Sequence, residues 1–318
     1  MDVDLIQPRG FCAGVERAID TVRRALEIHG APVYVLHEIV HNQHVLDELR
    51  KEGAVFVEDL GEIPHGAVTI FSAHGVARRV ERDADSRGLR VIDAVCPLVH
   101  KVHREVEAHA RNGREVILIG HAGHVEVTGT LGRYHGGNEG AIHLVQNERE
   151  ARAIEVADPG NLAYVTQTTL SVRDTQRTID ILRQRFPRIQ GPPTEDICYA
   201  TQNRQNALLQ ALERIDLLLV VGAENSSNSN RLREVGEAAG VESHLVPSAD
   251  RIEPRWLRGK RRVGITAGAS APEAIVQDVL RALAEFGVET IREFDAPPEK
   301  VQFALPRGIK QCDCAAAG

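Results

Sequence analysis

Three cysteines occupy equivalent places in this sequence, and that repetition constrains the fold more than any other feature. Each follows an apolar run typical of a β-strand and precedes an amphipathic stretch typical of a helix; they are Cys12, Cys96 and Cys198. Internal repetition at this scale indicates a chain built from similar structural units. The sequence therefore predicts one strand, loop and helix arrangement used three times.

Polar loops recur at similar distances after each cysteine. A first loop comes 29, 28 and 28 residues later, and these loops contain His41, His124 and Ser226. A second loop comes 33, 44 and 44 residues after those positions, and these loops contain His74, Thr168 and Ser270. Such spacing predicts that the loops are equivalent in the three units.

Strands that alternate with helices and end in polar loops are typical of an α/β fold with parallel sheets. Ligands bind such sheets outside the carboxyl ends of the strands, so we expect the polar loops to share one side. The prediction is three pseudo-equivalent parallel α/β units around a centre where the cysteines meet. Their predicted limits are 1–95 with Cys12, 96–193 with Cys96 and 194–293 with Cys198.

Two terminal segments complete this prediction. The apolar run from Val3 to Gln7 is assigned as a strand of the first unit, and residues 294–318 form a C-terminal tail without a counterpart in the repeat. Within the tail, VQFAL at 301–305 is expected to pack as a last strand. Cys312 and Cys314 are expected to be exposed thiols that bind no metal.

Composition narrows the class of partner and the compartment. The formal net charge is −7 and only 4% of the residues are aromatic, which argues against a nucleic-acid surface. No apolar run approaches the roughly 20 residues of a membrane span, and the amino end lacks the pattern of a signal peptide. We therefore expect a cytoplasmic protein with a small-molecule partner, in a reducing compartment where disulfides are rare.

Three thiols at matching strand ends need an explanation beyond packing. A lone intracellular cysteine is more often a small buried apolar residue than a ligand. Soft thiolates in a group favour zinc, copper(I) or iron–sulfur, and no C-x₂-C pair indicates a zinc ribbon or a ferredoxin-type loop. One thiolate from each unit suits a 4Fe–4S cluster with one iron left open. A helix N-terminus near Cys12 should also favour the thiolate form of this cysteine.

The polar loops supply hydrogen-bond donors suited to an anion. Imidazoles, hydroxyls, an amide and nearby helix N-termini are the groups that bind a phosphate or diphosphate. The candidates are His41, His74, His124, Ser226, Ser227, Asn228 and Ser270. The alternative for the serines and the asparagine is simple helix capping. Histidines outside these loops, including His103, are expected on exposed helix faces.

Glu126 lies two residues after His124 in a glycine-containing loop. A surface glutamate is ordinarily solvated and inert. Beside a bound anion and an open iron, the same carboxyl becomes a candidate proton donor.

Nine segments in order resemble the LytB/IspH family of 4-hydroxy-3-methylbut-2-enyl diphosphate reductases. They span almost the whole chain: GFCAGVERAI, HEIVHN, SAHGV, DAVCPLVHKVH, GHAGHVEVTGT, TQTTLS, ICYATQNRQ, AENSSNSNRL and TAGASAPEAI. The resemblance implies that Cys12, Cys96 and Cys198 hold one 4Fe–4S cluster between three α/β units. It further implies that the histidines, serines and asparagine of the anion loops hold a diphosphate.

By the same resemblance, the catalytic residues are Glu126, Thr168 and His124, with Thr168 also contacting the substrate. The implied reaction uses two electrons and protons to remove the C–O bond of the substrate, and its products are isopentenyl and dimethylallyl diphosphate. It is the last step of the methylerythritol phosphate route to isoprenoids. No G-x-G-x-x-G fingerprint or P-loop is present, so electrons are expected from a partner, and the family-implied donor is ferredoxin or flavodoxin.

Two other functions are compatible with parts of this pattern. An iron–sulfur hydro-lyase would use the open iron as a Lewis acid and would consume no electrons. A redox sensor would need a nucleic-acid surface, and no basic helix-turn-helix segment is present. Electron stoichiometry separates the reductase from the hydro-lyase.

Overall fold

A computed structural model describes residues 1–135, 141–294 and 299–309 of the chain. The strands are β1 (Asp2–Ile6), β2 (Val33–Leu36), β3 (Ala54–Val57), β4 (Val68–Phe71), β5 (Arg90–Asp93), β6 (Glu115–Ile119), β7 (Ile142–Val145), β8 (Leu162–Thr166), β9 (Leu217–Val221), β10 (Glu242–Val246), β11 (Arg262–Ala267) and β12 (Thr290–Phe294). The α-helices are α1 (Ala13–His29), α2 (Gln43–Glu52), α3 (Arg78–Ser86), α4 (Pro97–Arg111), α5 (Val125–Leu131), α6 (Glu148–Ala153), α7 (Val172–Arg185), α8 (Tyr199–Ala211), α9 (Ser227–Ala238), α10 (Pro254–Leu257) and α11 (Glu273–Glu285). Short 3₁₀ turns cover Leu60–Glu62, Leu212–Arg214 and Ala249–Arg251.

The strands form three sheets in which every strand pair is parallel. The strand order is β3-β2-β4-β5 in the first sheet, β7-β6-β8 in the second and β10-β9-β11-β1-β12 in the third. Helices pack against each sheet, so the predicted α/β fold of three parallel units is confirmed.

Each sheet has an apolar core on both of its faces, which is why its central strands are largely apolar. In β9, for example, Leu217 and Leu219 pack with α11 on one face, while Leu218 and Val220 pack with α8 and α9 on the other. Successive side chains of a strand point to opposite faces, so a strand in a sheet that is covered on both sides favours apolar residues on both faces.

The first strand belongs to the third sheet. Its place in the sequence predicts a strand of the first unit, but β1 pairs with β11 and β12 inside the third sheet. Val3 and Ile6 are fully buried there, and α1 then carries the chain to the first sheet. Both sheets accept a short apolar strand, so local sequence could not decide between them. The residue limits proposed for the three units stay a prediction.

The end of the chain also differs from expectation. Residues 301–305 form no strand, so that prediction is wrong, and the last strand of the described residues is β12, which the repeat pattern does not predict. Cys312 and Cys314 lie outside the described residues. In the part of the chain that the structure describes, none of the helices is both long enough and apolar enough to span a bilayer.

Candidate active site

All three repeat cysteines begin a helix and line one cavity. Cys12, Cys96 and Cys198 are the N-cap residues of α1, α4 and α8. Their side chains line a cavity of about 770 Å³, a volume that includes the part open to solvent. The predicted meeting of the cysteines is therefore present in the fold.

Gly14, in the first turn of α1, leaves room for two of the sulfur atoms. A Cβ at this position would lie 2.9 Å from the Sγ of Cys96 and 3.7 Å from the Sγ of Cys12. No three histidine, cysteine, aspartate or glutamate side chains among the described residues converge closely enough to hold a single metal ion. The three thiols border one shared volume.

Burial decides the protonation of the thiols. It raises the pKa of Cys12, and it raises the pKa of Cys96 to about 12 and that of Cys198 to about 11. Hydrogen bonds from the helix N-termini act in the opposite direction but are weaker. The helix N-terminus favours the Cys12 thiolate as expected, because the amides of Val15 and Gly14 lower its pKa, but desolvation outweighs them and the pKa is raised. A bound cationic group would favour the thiolate form of all three sulfurs.

Three histidine rings from the first and second units meet on another side of the cavity. The ring centroids of His41 and His74 are 4.2 Å apart and stacked, and His124 lies 5.5 Å from His41 and 6.0 Å from His74. Burial lowers the pKa of His74 well below its usual value and lowers that of His124 to about 4. Both rings are therefore neutral near pH 7, and a bound anion would favour their protonation.

His41 is oriented by a neighbouring carboxylate. Its Nδ1 lies 2.8 Å from an oxygen of Glu38, which also accepts a hydrogen bond from Asn225 Nδ2 at 2.9 Å. The other ring nitrogen, Nε2, is buried without a partner. Buried polar atoms are nearly always hydrogen-bonded, so an unpaired atom beside a cavity indicates a ligand position.

The serines in the loops of the third unit make hydrogen bonds within the protein. Ser226 caps α9, because its Oγ accepts a hydrogen bond from the amide of Ser229 at 3.4 Å. Ser270 Oγ donates to the carbonyl of His41 at 3.1 Å, and Ser227 Oγ lies 3.0 Å from Thr169 Oγ1. Helix capping uses Ser226 Oγ as an acceptor, so its hydroxyl can still donate a hydrogen bond to an anion.

Asn228 is not explained by capping. It is 4% exposed, and both its Oδ1 and its Nδ2 are buried without a hydrogen-bond partner. An amide in this state carries the full desolvation cost of two polar atoms. Its position in the first turn of α9, facing the same cavity, is suited to an anion.

Glu126 is buried and not solvated. The backbone amide of Thr168 donates to Oε1 at 2.7 Å, and the Thr168 hydroxyl donates to Oε2 at 3.0 Å. Burial raises the pKa of Glu126 to about 7, although the two bonds from Thr168 lower it. A carboxyl with this pKa holds or releases a proton near neutral pH, as a general acid requires.

The fold thus brings all twelve site residues chosen from the sequence to one cavity. It also places apolar side chains there that no polar motif marked: Val15, Val40, Leu98, Val99 and Phe303. Phe303 comes from the tail, where the repeat gave no signal. His103, expected on an exposed face, is 2% exposed instead, because α4 packs it under the loop at Gly75.

Comparison with known proteins gives one consistent result. The LytB protein family model matches residues 3–284. Curated proteins named 4-hydroxy-3-methylbut-2-enyl diphosphate reductase are similar to this chain at 56% identity in Hahella chejuensis, 54% in Stenotrophomonas maltophilia strain K279a and 52% in Pseudomonas aeruginosa strain PAO1. The matches cover 98% of this chain and 98%, 98% and 99% of those proteins.

Solved structures agree with the sequence comparison. The structure of the E-1-hydroxy-2-methyl-but-2-enyl-4-diphosphate reductase from Plasmodium falciparum superposes with a TM-score of 0.92 at 38% identity, covering 97% of this chain and 96% of that one. A structure described as (E)-4-hydroxy-3-methyl-but-2-enyl diphosphate reductase, the terminal enzyme of the non-mevalonate pathway, superposes with a TM-score of 0.62 at 29% identity. That match covers 90% of this chain and 100% of the other.

Proposed function

Because the chain belongs to the LytB family, whose curated relatives are named 4-hydroxy-3-methylbut-2-enyl diphosphate reductase, we propose that it is such a reductase. Its reaction is the terminal step of the non-mevalonate pathway, in which the substrate gives isopentenyl and dimethylallyl diphosphate. The supporting observation is that soft thiols, anion-binding groups and one buried carboxyl share a single cavity.

The cofactor of this proposal is one 4Fe–4S cluster held by Cys12, Cys96 and Cys198. The three sulfurs border a common volume and, as soft thiolate ligands, would hold such a cluster. Its positive irons would also offset the burial that raises the pKa of all three thiols. When bound, the cluster would pass on electrons and provide a Lewis acid for the substrate hydroxyl.

The diphosphate group is held by the anion loops. The proposed ligands are His41, His74, His124, Ser226, Ser227, Asn228 and Ser270. The unpaired atoms of His41 and Asn228 support this assignment, since a phosphate oxygen would satisfy them. The N-terminus of α9 adds its partial positive charge.

Glu126 delivers a proton to the reacting end of the substrate. Thr168 orients both the Glu126 carboxyl and the substrate. The reaction breaks one C–O bond, forms one C–H bond and releases water, so it consumes two electrons and two protons. Thr168 donates two hydrogen bonds to Glu126 and so fixes the position of its carboxyl. The apolar wall, which includes Val15, Val99 and Phe303, limits water around the allylic carbon.

Electrons come from a separate protein in this proposal, and a ferredoxin or flavodoxin is the donor class that the family suggests. A reducing cytoplasm fits both the donor and three free thiols.

An anaerobic assay tests the function directly. The reconstituted protein is mixed with 4-hydroxy-3-methylbut-2-enyl diphosphate and a reduced viologen, and viologen oxidation and products are measured together. We expect two electrons consumed per molecule of isopentenyl or dimethylallyl diphosphate. Substrate conversion without viologen oxidation would indicate a hydro-lyase and would refute the reductase.

A further inference from the structure

The C-terminal segment contributes to the cysteine cavity although it lies outside the repeat. Residues 299–304, here named the strap, contain no helix or strand, yet Phe303 lines the cavity together with the three cysteines. Main-chain hydrogen bonds of a sheet or helix do not hold this segment in place. Side chains of other elements must therefore position it.

One anchor is a fully buried arginine. Arg204 of α8 is 1% exposed and donates to both carboxylate oxygens of Glu299, at 3.1 and 3.2 Å. Asn203 Nδ2 donates to the same carboxylate at 3.1 Å. Burying a guanidinium is costly unless it is paired, so the pair fixes the strap strongly.

The same guanidinium also holds the backbone at two cysteines. Arg204 donates to the carbonyl of Gly10 at 2.6 Å, two residues before Cys12, and to the carbonyl of Ala200 at 3.0 Å, two residues after Cys198. One side chain thus joins the Cys12 loop, the Cys198 helix and the strap.

A second arginine anchors the other end of the strap. Arg17 of α1 donates to the carbonyl of Ala304 at 2.8 Å and to the carbonyl of Val95 at 3.0 Å. Val95 directly precedes Cys96. Arg204 and Arg17 therefore tie the strap to the backbone beside every repeat cysteine.

We propose that Arg204 is a positioning residue that locks the strap over the cysteine side of the cavity, so that Phe303 shields the cluster from water and dioxygen. This inference rests on the proposed iron–sulfur cofactor. The Arg204–Glu299 pair keeps the strap closed.

The test compares Glu299→Gln, Phe303→Ala and the control Gln302→Ala, which changes an exposed strap residue. Cluster absorbance is followed after anaerobic reconstitution and exposure to air. We expect Glu299→Gln and Phe303→Ala to lose the cluster roughly tenfold faster than wild type, because one opens the strap and the other removes the shield. Gln302→Ala should match wild type. If the cluster absorbance of both test variants decayed at the wild-type rate, the proposal would be overturned.

A second readout needs no cluster. Trypsin cleavage after the exposed Lys300 is followed by mass spectrometry on cluster-free protein, with circular dichroism to establish that the variants are folded. We expect cleavage at Lys300 to be roughly tenfold faster in Glu299→Gln than in wild type or Gln302→Ala. Equal cleavage rates would contradict the anchoring role. Failure of wild type to take up iron would refute the cofactor, while the cleavage rates would still decide whether Arg204 locks the strap.

Discussion

Glu126 and Thr168 are joined by two hydrogen bonds that connect helix α5 to the loop after β8. The amide and the hydroxyl of Thr168 each donate to one carboxylate oxygen of Glu126, at 2.7 and 3.0 Å. Because these bonds fix the carboxyl while burial raises its pKa to about 7, Glu126 is both positioned and able to carry a proton near neutral pH.

Replacing Glu126 by glutamine should remove most turnover but leave binding intact. Glutamine keeps the size of the side chain and can accept the hydrogen bond from the Thr168 amide. Its own amide group is not acidic enough to deliver a proton. We expect kcat to fall roughly 10²–10⁴-fold, with the substrate Kd and the cluster absorbance close to wild type. Near-wild-type kcat with an intact cluster would remove Glu126 from the mechanism and leave Thr168, His124 or the substrate diphosphate as the proton path.

The same substitution should change how stability depends on pH. The Glu126 pKa is about 7 in the folded protein against 4.5 as its ordinary value, so the folded state holds the proton more tightly. Wild type therefore loses stability relative to Glu126→Gln as pH rises from about 4.5 to about 7, by about 3 kcal/mol in all, and no further above that. Urea unfolding of both cluster-free proteins across this range measures the difference. A difference that does not vary with pH would contradict the raised pKa.

Each repeat cysteine should be needed for cluster retention. Cys12→Ser, Cys96→Ser and Cys198→Ser each replace a soft thiolate by a hydroxyl that binds iron poorly. We expect reduced iron and sulfide per chain in anaerobic analysis of all three variants. Cys312→Ser and Cys314→Ser are the matched controls and should retain wild-type content. Full content in all three repeat-cysteine variants would contradict the ligand assignment.

Asn228→Ala should weaken diphosphate binding without loss of stability. The Asn228 amide has two buried atoms without partners, so its removal costs the free protein no hydrogen bond. A hydrogen bond to a charged group contributes about 1.5–3 kcal/mol, so we expect the Kd for the diphosphate to rise roughly 10- to 150-fold. Calorimetry with the diphosphate and with the free alcohol provides the control, since the alcohol should bind both proteins equally weakly. An unchanged Kd for the diphosphate would contradict the role of Asn228.

The sequence alone determined the parts of this protein that repeat. A cysteine at the start of a helix, polar loops at matched spacings and uninterrupted apolar strands such as β9 are local patterns, and they predicted the α/β class and the residues of the cavity. These features depend on backbone periodicity and on strand ends sharing one side of a sheet, and both can be read along the chain.

Only the tertiary structure decided which sheet receives β1, that Phe303 reaches the cavity and that His103 is buried. A short apolar strand fits either sheet, and a tail without periodicity carries no signal of where it packs. The pKa values were equally beyond the sequence: a helix N-terminus predicted a thiolate at Cys12, but burial, which depends on distant elements, outweighed it. Burial also distinguishes Glu126 from an ordinary surface glutamate, because the desolvation that raises its pKa comes from residues that only folding brings around it.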